Sequence, residues 1–581
     1  MSDNRSSEFS FRTRQIALRR FSNEIFDLLI IGGGITGAAV VRDASLRGLK
    51  VALVEQSDFA QGTSSRSSKL IHGGLRYLEN LEFGLVFEAL AERAHLLKTA
   101  PHMVRPLPFF FPVYEGDPKP RFILSLGLWL YDMLALFRAP GAHRGLSKRK
   151  LLQQIPFLRD EGLKGGFRYY DASMWDDSLV VETLRSASTQ GAAIANYVQA
   201  VSPIWNEKLI QGFKVRDLEP NQEGHVGDEI EVRAHRVIVC AGPWTDQLGA
   251  RVSENWKPWL NPSKGVHLVF DLKRIPIPGA MVMSHPQDGR ISFVIPRPDF
   301  GSGVVIVGTT DSPSPNDPAR SAIDRQDVTY LLGLLNRYFP TLDLKASDIL
   351  SAYVGVRPLM GKEVNSEGSA SLQKVSREHY IGRGPGGSVW VAGGKYTTHR
   401  QMGEQIVDFA LKTWKDDADQ GVGPAFPTVK RSRSALPVNP ETTRESTSHA
   451  RAKATYIGAQ IPDQIFDRYG AEALDLYELQ KKQGEKTEPA AQDPEGFPML
   501  QAQLRHAIQN EMVLHLEDFY LRRTPLYLSR ADHGLPWSKH LAEVWAQERG
   551  LNEKEQALEL DRLNQEVHDR SAWFKQVTCL E

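Results

Sequence analysis

The sequence predicts an α/β fold in which a Rossmann-like domain is interleaved with an antiparallel-sheet domain and followed by an all-α C-terminal domain. Three observations carry this reading. The apolar run DLLIIG from Asp27 enters a glycine-rich turn and a helical stretch, and KVALVEQ follows as a second strand, so residues 27–55 read as one β-α-β unit. The runs VHLVF, ISFVIP and GVVIVGTTD, bounded by Pro and Gly, read as antiparallel strands. From Met499 to Leu521, Leu500, Leu504, Ile508, Met512, Leu516 and Tyr520 recur every four residues and mark one helix face.

Taken in order, residues 1–25 carry Asp3, Glu8 and Glu24 and lack the apolar run of a secretory signal, so they read as a mobile polar extension. Residues 26–420 form the body. Its nucleotide-binding parts are expected at about 26–115, 165–250 and 375–415, where RVIVCAG and SVWVAGG supply further strands, and its substrate sheet mainly at 255–375. Within it, Phe122 to Phe137 is the longest apolar stretch. It contains Asp132 and falls short of the ~20 residues a spanning helix needs, which leaves a buried helix or a surface contact with lipid. Residues 421–440 are proline-marked and read as a linker. Residues 441–581 are the helical domain, with a soft polar insert around Gln480 to Pro494.

Composition narrows the function. Over 581 residues, 70 Lys+Arg balance 70 Asp+Glu, so no global field draws the molecule to nucleic acid, and any anion must be held by a local site. Two cysteines, Cys240 and Cys579, exclude a disulfide framework, a four-thiolate zinc site and an iron–sulfur cluster. A reducing compartment and no metal site are expected.

Gly32, Gly34 and Gly37 form G-x-G-x-x-G at the point where a strand must turn, approach a pyrophosphate and open a helix whose positive end faces it. Glu55 ends the second strand, where a carboxylate accepts hydrogen bonds from a ribose. The segment Gly62 to Tyr77 (GTSSRSSKLIHGGLRY) offers hydroxyls and the cations Lys69, His72 and Arg76 to phosphates.

The motifs GGGITG, TSSRSSKLIHGGLRYLE, CAGPW, KGVHLVF, VIVGTTD, GVRPL and AGGKYTTHR occur in this order. Together they resemble the FAD-dependent glycerol-3-phosphate dehydrogenases of the aerobic, quinone-linked type, from about Phe26 through the helical domain. The resemblance implies FAD held by Gly32, Gly33, Gly34, Thr36, Gly37 and Glu55 at its adenosine diphosphate half. Thr63, Ser64, Ser68, Lys69, Leu70, His72, Ala241 and Gly242 would line the path to the ring, and Gly394, Lys395, Thr397 and Thr398 would approach the ring itself. Arg76, Tyr77, Thr310 and Arg377 would bind the substrate phosphate. His267, Arg357 and Lys395 would act on the reacting hydroxyl, with His267 the favoured proton acceptor. It further implies oxidation of glycerol 3-phosphate to dihydroxyacetone phosphate, electron transfer to a membrane quinone, and peripheral attachment to the cytoplasmic face. A homodimer is compatible with it, and nucleic acid is not a partner. The alternative on the same scaffold is an FAD-dependent amine or amino-acid oxidase, which would bind a carboxylate.

Overall fold

Phe26–Ile31 (β1) is apolar except at Asp27 and is buried nearly throughout. It pairs in parallel with Val51–Val54 (β2) on one side and with Glu229–Val239 on the other, the pattern of a sheet covered on both faces. The sheet continues through Val389–Gly393 to His379–Arg383 at one end and through β2 to Ala193–Ala195 at the other. Ile35–Leu46, the helix between β1 and β2, packs against Asp176–Thr189 and His399–Asp419. The computed structural model describes residues 8–578 apart from 118–119, 137, 220–226, 228, 287, 316, 362–378, 440–441 and 483–495. At Arg76, Glu79, Asn80, Phe497, Gln576 and Thr578 it describes the backbone alone.

A second sheet of ten strands stands beside the first. Its centre is Ser263–Asp271, antiparallel to Val304–Gly308 and to Ile349–Arg357. Two of its strands correct the sequence reading. Val104–Tyr114 and Leu163–Met174, assigned above to the nucleotide-binding parts, pair with each other and join this sheet. Val104–Tyr114 runs parallel to Ala280–Ser284, so the sheet is mixed rather than purely antiparallel. Both strands have partners far away in sequence, which alternation along one strand does not specify.

The polar extension is also corrected. Phe11–Asn23 is a helix, opened by a reciprocal cap between Ser10 and Thr13. Its Arg14, Ala17, Leu18 and Phe21 are buried along one face over two turns, and fully buried Arg14 reaches Asp217 at 2.5 Å. Tertiary packing, not local propensity, orders this segment.

The C-terminal domain is helical from Arg444–Tyr456 to Glu553–Thr578. The periodic run that starts near Met499 is not one helix. Gly496–Asn510 ends where Met512 takes a left-handed φ of 50°, and the chain resumes at Leu516. The predicted apolar face nevertheless stays buried, because both pieces pack into the same core. Part of the insert, residues 483–495, lies outside the described residues.

His515 in this domain lies between Glu219 (Nε2 to Oε1, 2.7 Å) and Glu559 (Nδ1 to Oε2, 3.0 Å), against Tyr197 and Arg562. Burial opposes its charge, but the two carboxylates outweigh burial and hold its pKa up at about 10. A raised folded pKa gives stability that is complete below the free value near 6.5 and is lost as pH rises towards 10. The midpoint of denaturant unfolding should therefore fall between pH 7 and pH 10, and His515→Gln should flatten that dependence. Equal slopes for both proteins would contradict this assignment.

Candidate active site

The glycine turn is built as its spacing demands. Gly32 has φ +112°, and a Cβ there would lie 2.4 Å from the Cys240 carbonyl oxygen. A Cβ on Gly37 would lie 1.9 Å from the carbonyl oxygen of Gly32, so the helix can cross the strand this closely only as glycine. Gly34 caps the helix without a side chain, and Ser64 Oγ accepts the Ile35 N–H at 3.0 Å. Glu55 follows β2 directly. It accepts the Gly33 N–H at 2.7 Å and the Ser57 N–H at 2.9 Å, and burial pushes its carboxyl up to about 7 despite those bonds.

A cavity of about 540 Å³ opens at this turn and is lined by residues of both sheets. Gly32, Gly34, Thr36 and Glu55 form its walls at the turn, joined by Thr63, Ser64, Ser68, Leu70 and His72 from the polar segment. Ala241, Gly242, Gly394, Lys395 and Thr397 complete it, with Tyr77, His267 and Arg357. Volume, a glycine cradle, a helix N-terminus and a buried acid suit an adenine dinucleotide, and FAD fits this donor set.

The second sheet brings His267 and Arg357 to the cavity through its register. Ser263 faces Arg357, Gly265 faces Gly355, and His267 faces Tyr353 across the two strands. Because side chains alternate, these six positions share one face. The facing glycines leave room beside the sheet: a Cβ on Gly265 would lie 2.4 Å from Arg357 Nη2. Arg357 is aimed by Ser263 Oγ (3.1 Å), Thr309 Oγ1 (2.9 Å) and Asp311 Oδ1 (3.2 Å). His267 is buried, with its ring stacked on Tyr353 at 4.7 Å and its Nε2 2.9 Å from Ser68 Oγ. Burial first, then Arg357 and Lys69, push its pKa down to about 3, so the imidazole is neutral. Its Nδ1 has no hydrogen-bond partner among the described residues.

Lys395 shows the clearest need for a ligand. Its Nζ is buried without a hydrogen-bond partner among the described residues and lies 3.8 Å from the Tyr77 ring centroid. An ammonium left in this state invites an anion or a hydroxyl.

Five expected site residues do not line the cavity. Gly33 and Gly37 are packed against Phe59 and Gly32 and act through the shape of the turn. Lys69 turns inward, in a left-handed conformation, and pairs with Asp176 at 2.5 Å. Thr310 is buried, its Oγ1 accepting the Val266 N–H at 3.0 Å; Arg357 meets its carbonyl oxygen at 3.3 Å and the hydroxyl of its neighbour Thr309 at 2.9 Å. Thr398 starts the helix His399–Asp419 behind the cavity. Arg377 lies outside the described residues, and Arg76 is known by its backbone alone, in the turn Leu75–Asn80. Ser263, Thr309, Asp311 and Tyr353 were not singled out from the sequence. Ser263 and Tyr353 stand at i±4 from predicted residues within strands, a period-2 signal that becomes readable once the strand pair is known.

Residues 27–407 match the model of the FAD dependent oxidoreductase family, and residues 441–556 match that of the C-terminal domain of alpha-glycerophosphate oxidase. The aerobic glycerol-3-phosphate dehydrogenase of Staphylococcus haemolyticus is 35% identical over 520 residues, which is 88% of either chain. That of Staphylococcus aureus (strain USA300) is 34% identical over 518 residues, again 88% of either chain. The solved structure of glycerol-3-phosphate dehydrogenase from Bacillus halodurans, complexed with FAD, aligns with a TM-score of 0.73 at 28% identity, covering 96% of this chain and 98% of that one. A glycine cradle for FAD, a facing strand pair carrying His267 and Arg357, and relatives similar along most of their length lead to one assignment: the chain belongs to the family of FAD-dependent glycerol-3-phosphate dehydrogenases.

Proposed function

We propose that the chain oxidises sn-glycerol 3-phosphate to dihydroxyacetone phosphate and passes the electrons to a membrane quinone. The observation that carries this reading is the convergence on one cavity of Arg357, neutral His267 and the Lys395 ammonium, which has no hydrogen-bond partner among the described residues. FAD, when bound, supplies the hydride acceptor. His267 takes the proton of the second-carbon hydroxyl, while Arg357 and Lys395 orient that oxygen and stabilise the charge it develops. The phosphate falls to Arg76, Arg377 and Tyr77 by the family resemblance; Tyr77 lines the cavity beside Lys395. Thr310 is withdrawn from this group because it is buried and does not line the cavity. The test is turnover of glycerol 3-phosphate with a soluble quinone analogue, with dihydroxyacetone phosphate measured as product. Stoichiometric product with quinone, and hydrogen peroxide in its place only as a minor path, supports the reading. Peroxide matching product with no quinone dependence would assign the acceptor as oxygen.

Attachment to the inner face of the membrane is part of the same proposal. Arg121–Leu134 buries Leu124, Leu128 and Tyr131 but exposes Phe122 (77%), Leu126 (61%), Trp129 (57%) and Met133 (55%) along its other side. Such an apolar stripe suits the interfacial zone of a bilayer. Exposed Arg138, Arg144, Lys148 and Arg149 follow it in the chain and suit anionic headgroups. Among the described residues no helix is long and apolar enough to cross a membrane. In flotation with vesicles containing phosphatidylglycerol, wild type should rise with the lipid and a Leu126→Glu, Trp129→Glu variant should stay behind, while both reduce a soluble acceptor. Equal flotation of the two would remove this helix from the contact.

A further inference from the structure

The loop that follows β2 has two faces. On one, Glu55, Gln56, Ser57, Gln61 and Gly62 line the cavity, and Glu55 fixes the glycine turn through the Gly33 N–H. On the other, Asp58 points into the C-terminal domain with no exposure. It accepts hydrogen bonds from Arg522 Nε and from both terminal nitrogens of Arg523, each of the latter at 2.9 Å. These two arginines lie more than 460 positions away in sequence and are themselves buried.

The clasp has a second jaw. Residues 196–197 leave the end of the neighbouring strand Ala193–Ala195, and the Tyr197 N–H donates to the Ser57 carbonyl at 3.0 Å. Tyr197 Oη donates to Asp518 at 2.6 Å, and Asn196 Nδ2 donates to the Met512 carbonyl at 3.1 Å. Phe59 stacks on Phe9, whose carbonyl accepts the Met512 N–H at 2.7 Å. The C-terminal domain therefore grips two loops at the carboxyl ends of adjacent parallel strands, the edge at which such sheets bind nucleotides.

We propose that the C-terminal domain is a clasp on the dinucleotide site: Asp58, Arg522 and Arg523 hold the 55–62 loop in its cofactor-binding shape, so FAD binding and docking of this domain strengthen each other. A buried ion cluster adds little net stability but fixes geometry, and it is costly to break from one side. Coupling between two such sites is reciprocal. The inference rests on FAD as cofactor and is independent of the substrate oxidised.

Hydrogen exchange of the wild-type chain, with and without FAD, needs no variant to fold. FAD should slow exchange in 511–524 at least tenfold while leaving the distant helix Arg444–Tyr456 little changed. No change in 511–524, or equal slowing of both segments, overturns the clasp. Reciprocity requires that Asp58→Asn raise the dissociation constant for FAD, followed by flavin fluorescence quenching, at least tenfold, and that it shrink the rise in Tm caused by FAD. A cluster that was only structural would lower Tm equally with and without FAD. Should Asp58→Asn not fold, Tyr197→Phe, which removes a single hydroxyl, decides the matter: about a threefold rise in the constant supports the clasp, and an unchanged constant overturns it.

Discussion

Replacing Arg357 by alanine should slow flavin bleaching at saturating glycerol 3-phosphate by about two orders of magnitude, within the range found when one preorganised donor to a developing oxyanion is lost. The arginine is held before substrate arrives: Ser263, Thr309 and Asp311 fix its guanidinium, and Gly265 clears the space it occupies. That arrangement favours an effect on kcat, because the interaction strengthens only as charge develops on the substrate oxygen. Arg357→Lys should not restore the rate, since an ammonium cannot reproduce the planar contacts to three partners. Arg76→Ala, at the position assigned to the phosphate, should instead raise KM, by the roughly 1.5–3 kcal/mol of a charged hydrogen bond. Glycerol, which has no phosphate, should be a very poor substrate and nearly indifferent to that change. Stopped-flow bleaching separates the two roles. Wild-type bleaching in Arg357→Ala, or a kcat defect in place of a KM defect for Arg76→Ala, would show that the roles are misassigned.

Gly37→Val should yield protein without flavin. The first carbon of any side chain there would overlap the Gly32 carbonyl oxygen at 1.9 Å, and that oxygen belongs to the turn itself. Overpacking of this kind costs about 3 kcal/mol or more, which is about a hundredfold in FAD affinity if the turn bears it. Gly333→Ala is the control. Gly333 lies within the helix Arg325–Tyr338, outside the cavity lining, and a Cβ there would meet nothing within 4 Å, so this variant should still purify yellow. The absorbance ratio at 450 and 280 nm reads both. Equal flavin content in the two variants would mean that close helix–strand packing is not what shapes the site.

The β-α-β unit was legible because its signals are local: glycine spacing, an apolar strand on either side and an acid at the end of the second. The residues proposed to act on the substrate, His267, Arg357 and Lys395, were named through motifs, and all three line one cavity. What escaped depends on partners distant in the chain. Val104–Tyr114 and Leu163–Met174 look alike in either sheet until their pairing is known. Phe11–Asn23 is too polar to announce a buried face, and the Asp217 that receives Arg14 lies about 200 residues on. Thr309, whose hydroxyl meets Arg357, was not named from the sequence: the strand Val304–Gly308 ends just before it, and beyond a strand's end alternation does not assign faces. Lys69 looked like a phosphate ligand by charge, but its left-handed backbone directs the side chain to Asp176.

The central claim is that this cavity holds FAD next to a site made for a polyol phosphate. An anaerobic titration of the purified, FAD-loaded protein tests it most directly. Glycerol 3-phosphate should bleach the flavin band with one equivalent of substrate per flavin, and glycine, proline and other amino acids should leave the spectrum unchanged. Bleaching by an amino acid and none by glycerol 3-phosphate would contradict the account and assign the scaffold to an amine or amino-acid oxidase.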